Sequence, residues 1–513
     1  MQKHEVENAT LFFGITLPIG GWIAGSYVGR VRLTPFPEAL TAALHQTTHN
    51  PYLFGGLLIG GALAMGVAYL CYRYGDDGFR GASYQRFLRG TRMANWRTVK
   101  RQVETANRRE NRIQKTVLPA INIGPMPMPL HLENRHLLIC AAPGAGKTVA
   151  MEGMIGAAIK RRDKLAIVDP NGTFYSKFSF PGDTILNPFD SRSSGWTIFN
   201  EVQSVHDFDR MAKSVIPPQV SADDEQWCGY ARDILADTMR KLVESNNPDM
   251  EALVNLLLRE DGKVIRKFLA NTDSQGYFRD NAERATASVQ FLMNKYVRPL
   301  RFMNEGTFSI YEWIHNPDAG NLFITWREDM RPAMRPLVAT WIDTICATVL
   351  SFEPMSGKRL WLMLDELDSL GKLESFVPAA TKGRKHGLRM VGSIQDWAQL
   401  DETYGRDAAK VILACFRNYL ILGASNAFNA DKASEIIGDH EVERVRRTFS
   451  ANARGGGQSR NISHEKERVI LDSEISNLMD LSAYVKFAEE FPLAKIKLPL
   501  NNYPVRATAV EIR

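Results

Sequence analysis

Residues 141–148 read Ala-Ala-Pro-Gly-Ala-Gly-Lys-Thr, and this run decides how the rest of the chain is understood. It joins an apolar stretch, His136 to Cys140, to a helix-like stretch, Val149 to Lys160. Small residues at Ala142, Pro143, Gly144, Ala145 and Gly146 let backbone N–H groups wrap the phosphates of a nucleotide. Lys147 is placed to reach the β- and γ-phosphates, and Thr148 to hold Mg²⁺. The following helix adds the positive end of its dipole. Ala141 stands where the strict pattern has Gly. The plainer alternative is a glycine-rich turn ahead of a helix.

The other half of a nucleotide site lies more than 200 residues downstream. Leu360-Trp361-Leu362-Met363-Leu364-Asp365-Glu366 is a short apolar run ending in two carboxylates, as a buried parallel strand would. Ligands of open α/β sheets bind at the carboxyl ends of strands, where this pair would sit. Asp365 suits the Mg²⁺ shell, and Glu366 suits orienting an attacking water. Phosphoryl transfer needs both jobs done by positioned groups. Alone, an Asp-Glu pair is often a helix N-cap; with the glycine-rich loop it indicates a hydrolysing ATPase.

With 513 residues, two or three domains are expected. The net charge of +6 is local, because residues 73–115 hold 12 basic against 4 acidic residues. Bulk charge therefore excludes a generally basic nucleic-acid binder, and any DNA contact must come from a lined channel or loop. The five cysteines are scattered and read as free thiols of a reducing compartment. Zinc spacing is absent, so no structural metal is expected.

Two uncharged apolar runs, about Thr10 to Gly29 and about Tyr52 to Tyr72, are long enough to span a bilayer. A cleaved signal peptide fits the first run poorly, since a second span follows. The intervening loop is poor in positive charge, whereas Arg73, Arg80, Arg86, Arg89, Arg92, Arg97, Lys100, Arg101, Arg108 and Arg109 follow the second run. The positive-inside rule then predicts a two-pass protein with both termini cytoplasmic. Contact with anionic lipid accounts for the basic stretch more simply than DNA binding does.

From Pro119 onward apolar strands alternate with helical stretches, which predicts a parallel α/β sheet. Candidate strands are His136–Cys140, Leu165–Val168, Leu322–Thr325, Leu360–Leu364, Arg389–Ser393 and Tyr419–Gly423. The long interval 197–302 has helical periodicity at Asp224–Ser245, Met250–Leu258, Val264–Asn271 and Asn281–Tyr296, so it is expected to be an inserted all-α domain. Pro181-Gly182-Asp183, Asn187-Pro188 and Ser191–Gly195 look like its exit, and Phe302–Gly306 its return.

Three further residues are candidates. Gln395, after the Arg389–Ser393 run, either senses a γ-phosphate or is a surface Gln opening a helix. Arg384, in Lys382-Gly383-Arg384-Lys385-His386-Gly387, is either a basic residue at a helix C-terminus capped by Gly387 or an arginine finger for a neighbouring subunit. Arg135 is a second finger candidate. The polar run Ser450–Ser463 is expected to be a linker, with a DNA-facing loop as the alternative.

Taken together, these motifs resemble the type IV secretion coupling proteins, the TraD/TrwB class of conjugative ATPases. The resemblance runs over nearly the whole chain. It covers the two spans, Glu133-Asn134-Arg135-His136, Val168-Asp169-Pro170-Asn171-Gly172 and Leu186-Asn187-Pro188-Phe189-Asp190 with Trp196. It continues through Leu364-Asp365-Glu366-Leu367 and Leu370-Gly371-Lys372. Its most specific motifs are Gly383-Arg384-Lys385-His386-Gly387 and Gln395-Asp396-Trp397-Ala398-Gln399-Leu400 followed by Tyr404-Gly405. Asp396 stands where the family often has Ser, and the length is similar to that of the short TrwB-like members.

The resemblance implies a RecA-like P-loop NTPase with an inserted all-α domain and two N-terminal transmembrane helices, in a bacterial inner membrane. The implied layout is an anchor over 1–72, a basic juxtamembrane segment over 73–115, a motor over 116–196 and 303–513, and the insertion over 197–302. It further implies a homo-hexamer that uses ATP and Mg²⁺ to link a relaxase–DNA complex (the relaxosome) to the secretion channel and to export single-stranded DNA. Lys147 and Thr148 then take phosphate and Mg²⁺, Asp365 takes Mg²⁺, Glu366 the water, Gln395 the sensor role, and Arg384 with Arg135 the trans-acting finger. Two other functions keep the same site: an ATP-gated receptor without processive translocation, and a partition translocase on duplex DNA.

Overall fold

The computed structural model describes the chain apart from residues 1–2, 34–36, 75–85, 220, 279–282, 356, 368–369, 371, 451–456 and 489–490. Arg80, Gly371, Asn281 and the core of the glycine-rich run, Arg454 included, therefore lie outside the described residues. The chain divides into two units, Met1–Asn95 with Ile437–Val469 and Trp96–Ile436 with Ile470–Arg513.

In the first unit, both apolar runs are helices, α1 (Lys3–Val28) and α3 (Pro51–Tyr74), and each is long and apolar enough to cross a membrane. They pack antiparallel through glycines spaced four apart. A Cβ on Gly21 would lie 2.3 Å from Gly56 O, one on Gly25 2.3 Å from Tyr52 O, and one on Gly60 2.3 Å from Leu17 O. In lipid, where apolar side chains gain nothing by leaving their surroundings, such backbone approach is what holds helices together. The loop between them is not featureless: it contains helix α2 (Glu38–Gln46). Ala43 packs with Trp22 and Leu53, and Trp22 Nε1 donates to Thr47 Oγ1 at 2.9 Å.

The same unit contains a three-stranded antiparallel sheet in which β1 (Arg86–Gly90) pairs with β9 (Asp439–Ser450), which pairs with β10 (Gly457–Arg468). This corrects the linker expectation for Ser450–Ser463. Residues 457–463 lie in a strand whose backbone groups find ladder partners from Arg444 to Ser450, and a polar, Gly-bearing sequence does not prevent that pairing.

The second unit opens with helix α4 (Trp96–Ile113) and is built on a mixed sheet. Its parallel strands are β2 (Leu137–Cys140), β3 (Lys164–Pro170), β4 (Thr184–Leu186), β5 (Leu322–Trp326), β6 (Leu360–Leu364), β7 (Leu388–Ile394) and β8 (Asn418–Ile421), adjacent in the order β8-β2-β7-β6-β3-β5-β4. Each predicted strand is present. Leu-rich apolar runs such as β2 and β6 are buried at every position, as strands covered on both faces must be. The all-parallel expectation is corrected at one edge, where the antiparallel β11 (Ser482–Lys486) and β12 (Leu493–Lys497) extend the sheet beyond β8. The parallel strand β4, which the sequence did not indicate, lies between the linker-like runs Pro181-Gly182-Asp183 and Asn187-Pro188.

Among the described residues, 205–302 contain helices and short 3-10 turns. The longer helices are Val205–Val215, Ala222–Glu244, Met250–Leu258 and Glu283–Tyr296. Entry and return are clasped together. Trp196 N donates to Asn304 O at 2.9 Å, and a Cβ on Gly195 would lie 2.2 Å from Glu305 O. Buried Glu201 accepts from Trp196 Nε1 at 2.8 Å and from Ile310 N at 2.7 Å, tying both sides of the neck with one carboxylate.

Candidate nucleotide site

The loop 141–148 leaves β2 and enters helix α5 (Lys147–Lys160). Gly144 and Gly146 have φ of +79° and +114°, conformations that only glycine adopts without strain. The loop is anchored on both sides of β2: Ala141 N donates to Ile394 O at 3.2 Å and Ala142 N to Gly423 O at 2.6 Å. Pro143 and Gly144 are exposed at the loop's crest, and Thr148 is half-buried in the first turn of α5.

The sheet then brings distant residues to this loop. Strand β7 lies between β2 and β6, so Asp365 and Glu366 leave their strand two positions from the loop. Lys147 Nζ donates to the Asp365 carbonyl at 3.0 Å and lies 3.5 Å from Asp365 Oδ1. Ser393 Oγ donates to the same carbonyl. Burial raises the Asp365 carboxyl above its ordinary range, and the Lys147 ammonium opposes that rise. Gln395 Nε2 donates to Glu366 Oε1 at 3.0 Å. Lys147, Thr148, Asp365, Glu366 and Gln395 thus gather at the carboxyl ends of β2, β6 and β7.

Arg384 and Arg135 do not join them. Arg384 is exposed in the turn before β7, and Arg135 is half-buried just before β2. Both stand at the amino ends of strands whose carboxyl ends carry the loop and Gln395, roughly 20 Å away by strand rise. Gly387 does close the preceding turn in the left-handed conformation, φ +92°, where a Cβ would lie 2.3 Å from Lys358 O.

That opposite edge holds a buried polar cluster the sequence did not reveal. Glu133 accepts from Arg161 at 2.6 Å, Arg359 at 2.9 Å and Arg389 at 3.3 Å. His136 is fully enclosed: its Nδ1 accepts from Met390 N at 3.1 Å, and its Nε2 donates to Ala380 O at 3.1 Å. Burial, with the Arg389 and Arg384 charges, lowers its pKa to about 4. The helix Phe376–Lys382, which leads to Arg384, is thereby pinned to the sheet.

Asp169 lies in the Val168-Asp169-Pro170-Asn171-Gly172 motif. It is the penultimate residue of β3, next to β6, and follows the register pair Val168–Leu364 as Asp365 does. Its Oδ2 accepts from Tyr175 N at 2.7 Å in the first turn of helix α6 (Thr173–Phe178). Burial, with a smaller push from Asp365, raises its pKa to about 7.

A glycine-rich loop on a parallel strand, with carboxylates on a nearby strand and a Gln on the strand between, defines a RecA-like P-loop NTPase. Comparison with known proteins narrows this class. A family model for the DNA-binding domain of type IV secretion-system coupling proteins matches residues 120–499, and the chain belongs to that family. It is 38% identical to the bacterial conjugative coupling protein TrwBdeltaN70, with a TM-score of 0.77, over 85% of this chain and 98% of that one. The plasmid coupling protein TrwB in complex with ADP and Mg²⁺ is 37% identical, with a TM-score of 0.76, over 84% of this chain and 99% of that one. The coupling protein TraD of Escherichia coli (strain K12) is 27% identical over 396 residues, 75% of this chain and 55% of TraD. The chain thus spans about half the length of that curated relative.

Proposed function

We propose that this protein is an inner-membrane ATPase that couples a relaxase–DNA complex to a type IV secretion channel and drives export of single-stranded DNA. The observation that carries the reading is the convergence of Lys147, Asp365, Glu366 and Gln395 on one glycine-rich loop. The donors fit a Mg²⁺–nucleotide: Thr148 offers a hydroxyl, and Asp365 Oδ1 is a buried oxygen with no hydrogen-bond partner. Mg²⁺, when bound, would supply charge neutralisation at the phosphates. Backbone N–H groups of Gly144 and Gly146 bind phosphate, Lys147 leaves Asp365 for the β- and γ-phosphates, and Glu366 orients water with its carboxylate held by Gln395.

Arg384 and Arg135 act in trans in this reading, because both lie at the far ends of their strands from their own loop. That supports a homo-hexameric ring with shared active sites. In this reading the layout is an anchor over 1–72, a basic segment over 73–115, a motor over 116–196 with 303–513, and a helical insertion over 197–302, with Ile437–Val469 grouped with the first unit. Helices α1 and α3 anchor the ring, with both termini cytoplasmic.

The deciding experiment measures ATP hydrolysis by the fragment starting at Tyr74, over a range of protein concentrations, with and without single-stranded DNA. DNA stimulation rising cooperatively with protein concentration supports the ring motor. Hydrolysis indifferent to both in the full-length chain in lipid favours an ATP-gated receptor instead.

A further inference from the structure

The oxygen atoms of Asp169 are in unequal circumstances. The side chain is completely buried, with Oδ2 accepting the α6 amide of Tyr175 at 2.7 Å. Its Oδ1 is buried with no hydrogen-bond partner. Capping the turn explains one oxygen and leaves the other bare, and folded proteins rarely leave a buried acceptor unmatched without a reason. Asp365, one strand away at the next register position, also has a buried Oδ1 without a hydrogen bond. Two carboxylates therefore stand on neighbouring strands at one register position, and the Lys147 ammonium lies 3.5 Å from Oδ1 of one of them, Asp365.

Nucleotide binding removes that ammonium, because the loop lysine is drawn to the phosphates. Two adjacent carboxylates left without a cation repel each other. Mg²⁺ answers both needs. It dehydrates reluctantly and keeps several waters, and each of those waters is a hydrogen-bond donor to an oxygen beyond the metal's own ligands. We propose that Asp169 is a positioning residue of the Mg²⁺–nucleotide site, accepting from the cation's water shell with Oδ1 while Oδ2 holds helix α6. This rests on the nucleotide-site reading above and adds a second carboxylate to it.

The test measures binding of a fluorescent ADP to the full-length chain in lipid nanodiscs while Mg²⁺ is titrated, for the wild type, Asp169→Asn and Asp169→Ser. Both substitutions keep an acceptor for the Tyr175 amide and remove the charge. Loss of such an outer partner costs about 10–100-fold in metal affinity, so half-saturating Mg²⁺ is expected to rise at least about 10-fold. Nucleotide binding without Mg²⁺ and the melting temperature of the nucleotide-free protein should stay near wild type. Mg²⁺ dependence equal to wild type in either folded variant overturns the proposal and leaves Asp169 as a cap. A wild type that binds no nucleotide under any condition overturns the nucleotide-site reading instead. The unmutated chain gives an independent readout with Mn²⁺ and ¹³C-carboxyl aspartate: electron–nuclear double resonance should show two aspartate couplings, one of them weak. A single coupling rejects the role for Asp169.

Discussion

Gln395 Nε2 donates a 3.0 Å hydrogen bond to Glu366 Oε1, joining the ends of adjacent strands β7 and β6. The carboxylate proposed to orient water is therefore held by the residue proposed to sense the γ-phosphate. Gln395→Ala should leave nucleotide affinity within about threefold and lower turnover about 10²-fold, as loss of a group acting chiefly in the transition state does. Steady-state hydrolysis with equilibrium nucleotide binding separates the two effects. Unchanged turnover would return Gln395 to a helix-opening role.

Lys147→Ala should abolish hydrolysis and DNA transfer while leaving membrane insertion intact, since its ammonium acts on phosphates and not on the membrane hairpin. Plasmid transfer frequency and membrane fractionation report the two separately. Normal transfer by this variant would sink the motor reading.

His136 makes stability depend on pH in a defined direction. Its pKa falls from 6.5 to about 4 on folding. Between those values the unfolded chain takes a proton that the folded chain refuses, so this contribution is present above pH 6.5 and is lost as pH falls toward 4. The full effect is about 3 kcal/mol. Asp169, raised to about 7, pulls the opposite way over the same window, so a wild-type melt alone cannot isolate it. The stability difference between wild type and His136→Asn should shrink as pH drops from 6.5 to 4.5; a constant difference contradicts the assignment.

The glycine contacts between α1 and α3 predict position-specific sensitivity. A Cβ at Gly21 or Gly56 meets backbone oxygen at 2.3 Å or 2.2 Å, whereas Gly14, Gly61 and Gly66 have nothing within 4 Å. Gly21→Leu and Gly56→Leu should separate the two helices, and Gly61→Leu should not. Energy transfer between labels on the two helices in nanodiscs would show this.

The C-terminal segment is strapped over the turn that presents Asp169. Ala507 N and Arg506 N reach Ser176 O, and Glu511 N donates to Asp190 Oδ2 at 3.0 Å. Arg192 donates to Thr508 O at 2.8 Å. Gly172 has φ +67°, and a Cβ there would lie 2.3 Å from Ala509 O. Gly172→Ala should cost about 2 kcal/mol through strain and release the strap. Faster tryptic cleavage at Arg506 measures the release.

Much of the second unit was legible because its strands are short and wholly apolar, and buried parallel strands need nothing else. Strand β4 was not, since three residues beside Asn187-Pro188 carry more turn signal than strand signal. Strands β11 and β12 were missed because they pair antiparallel at the sheet's edge, outside the βαβ rhythm. The ribbon β9–β10 was missed because its residues are charged and polar, and its pairing comes from backbone register. Helix α2 was hidden in a short loop between two stronger apolar signals.

By itself the sequence determined the phosphate loop, the paired carboxylates, the two apolar helices and the family to which they point. Each is a local pattern of size, charge or hydropathy, and local patterns survive without coordinates. Only the tertiary structure decided which residues share a site. Gln395 meets Glu366 because β7 lies beside β6, while Arg384 and Arg135 stand at the other ends of their strands. Asp169 enters the site because β3 lies beside β6 in register. Strand order and register set these meetings, and they arise from packing between segments far apart in the chain.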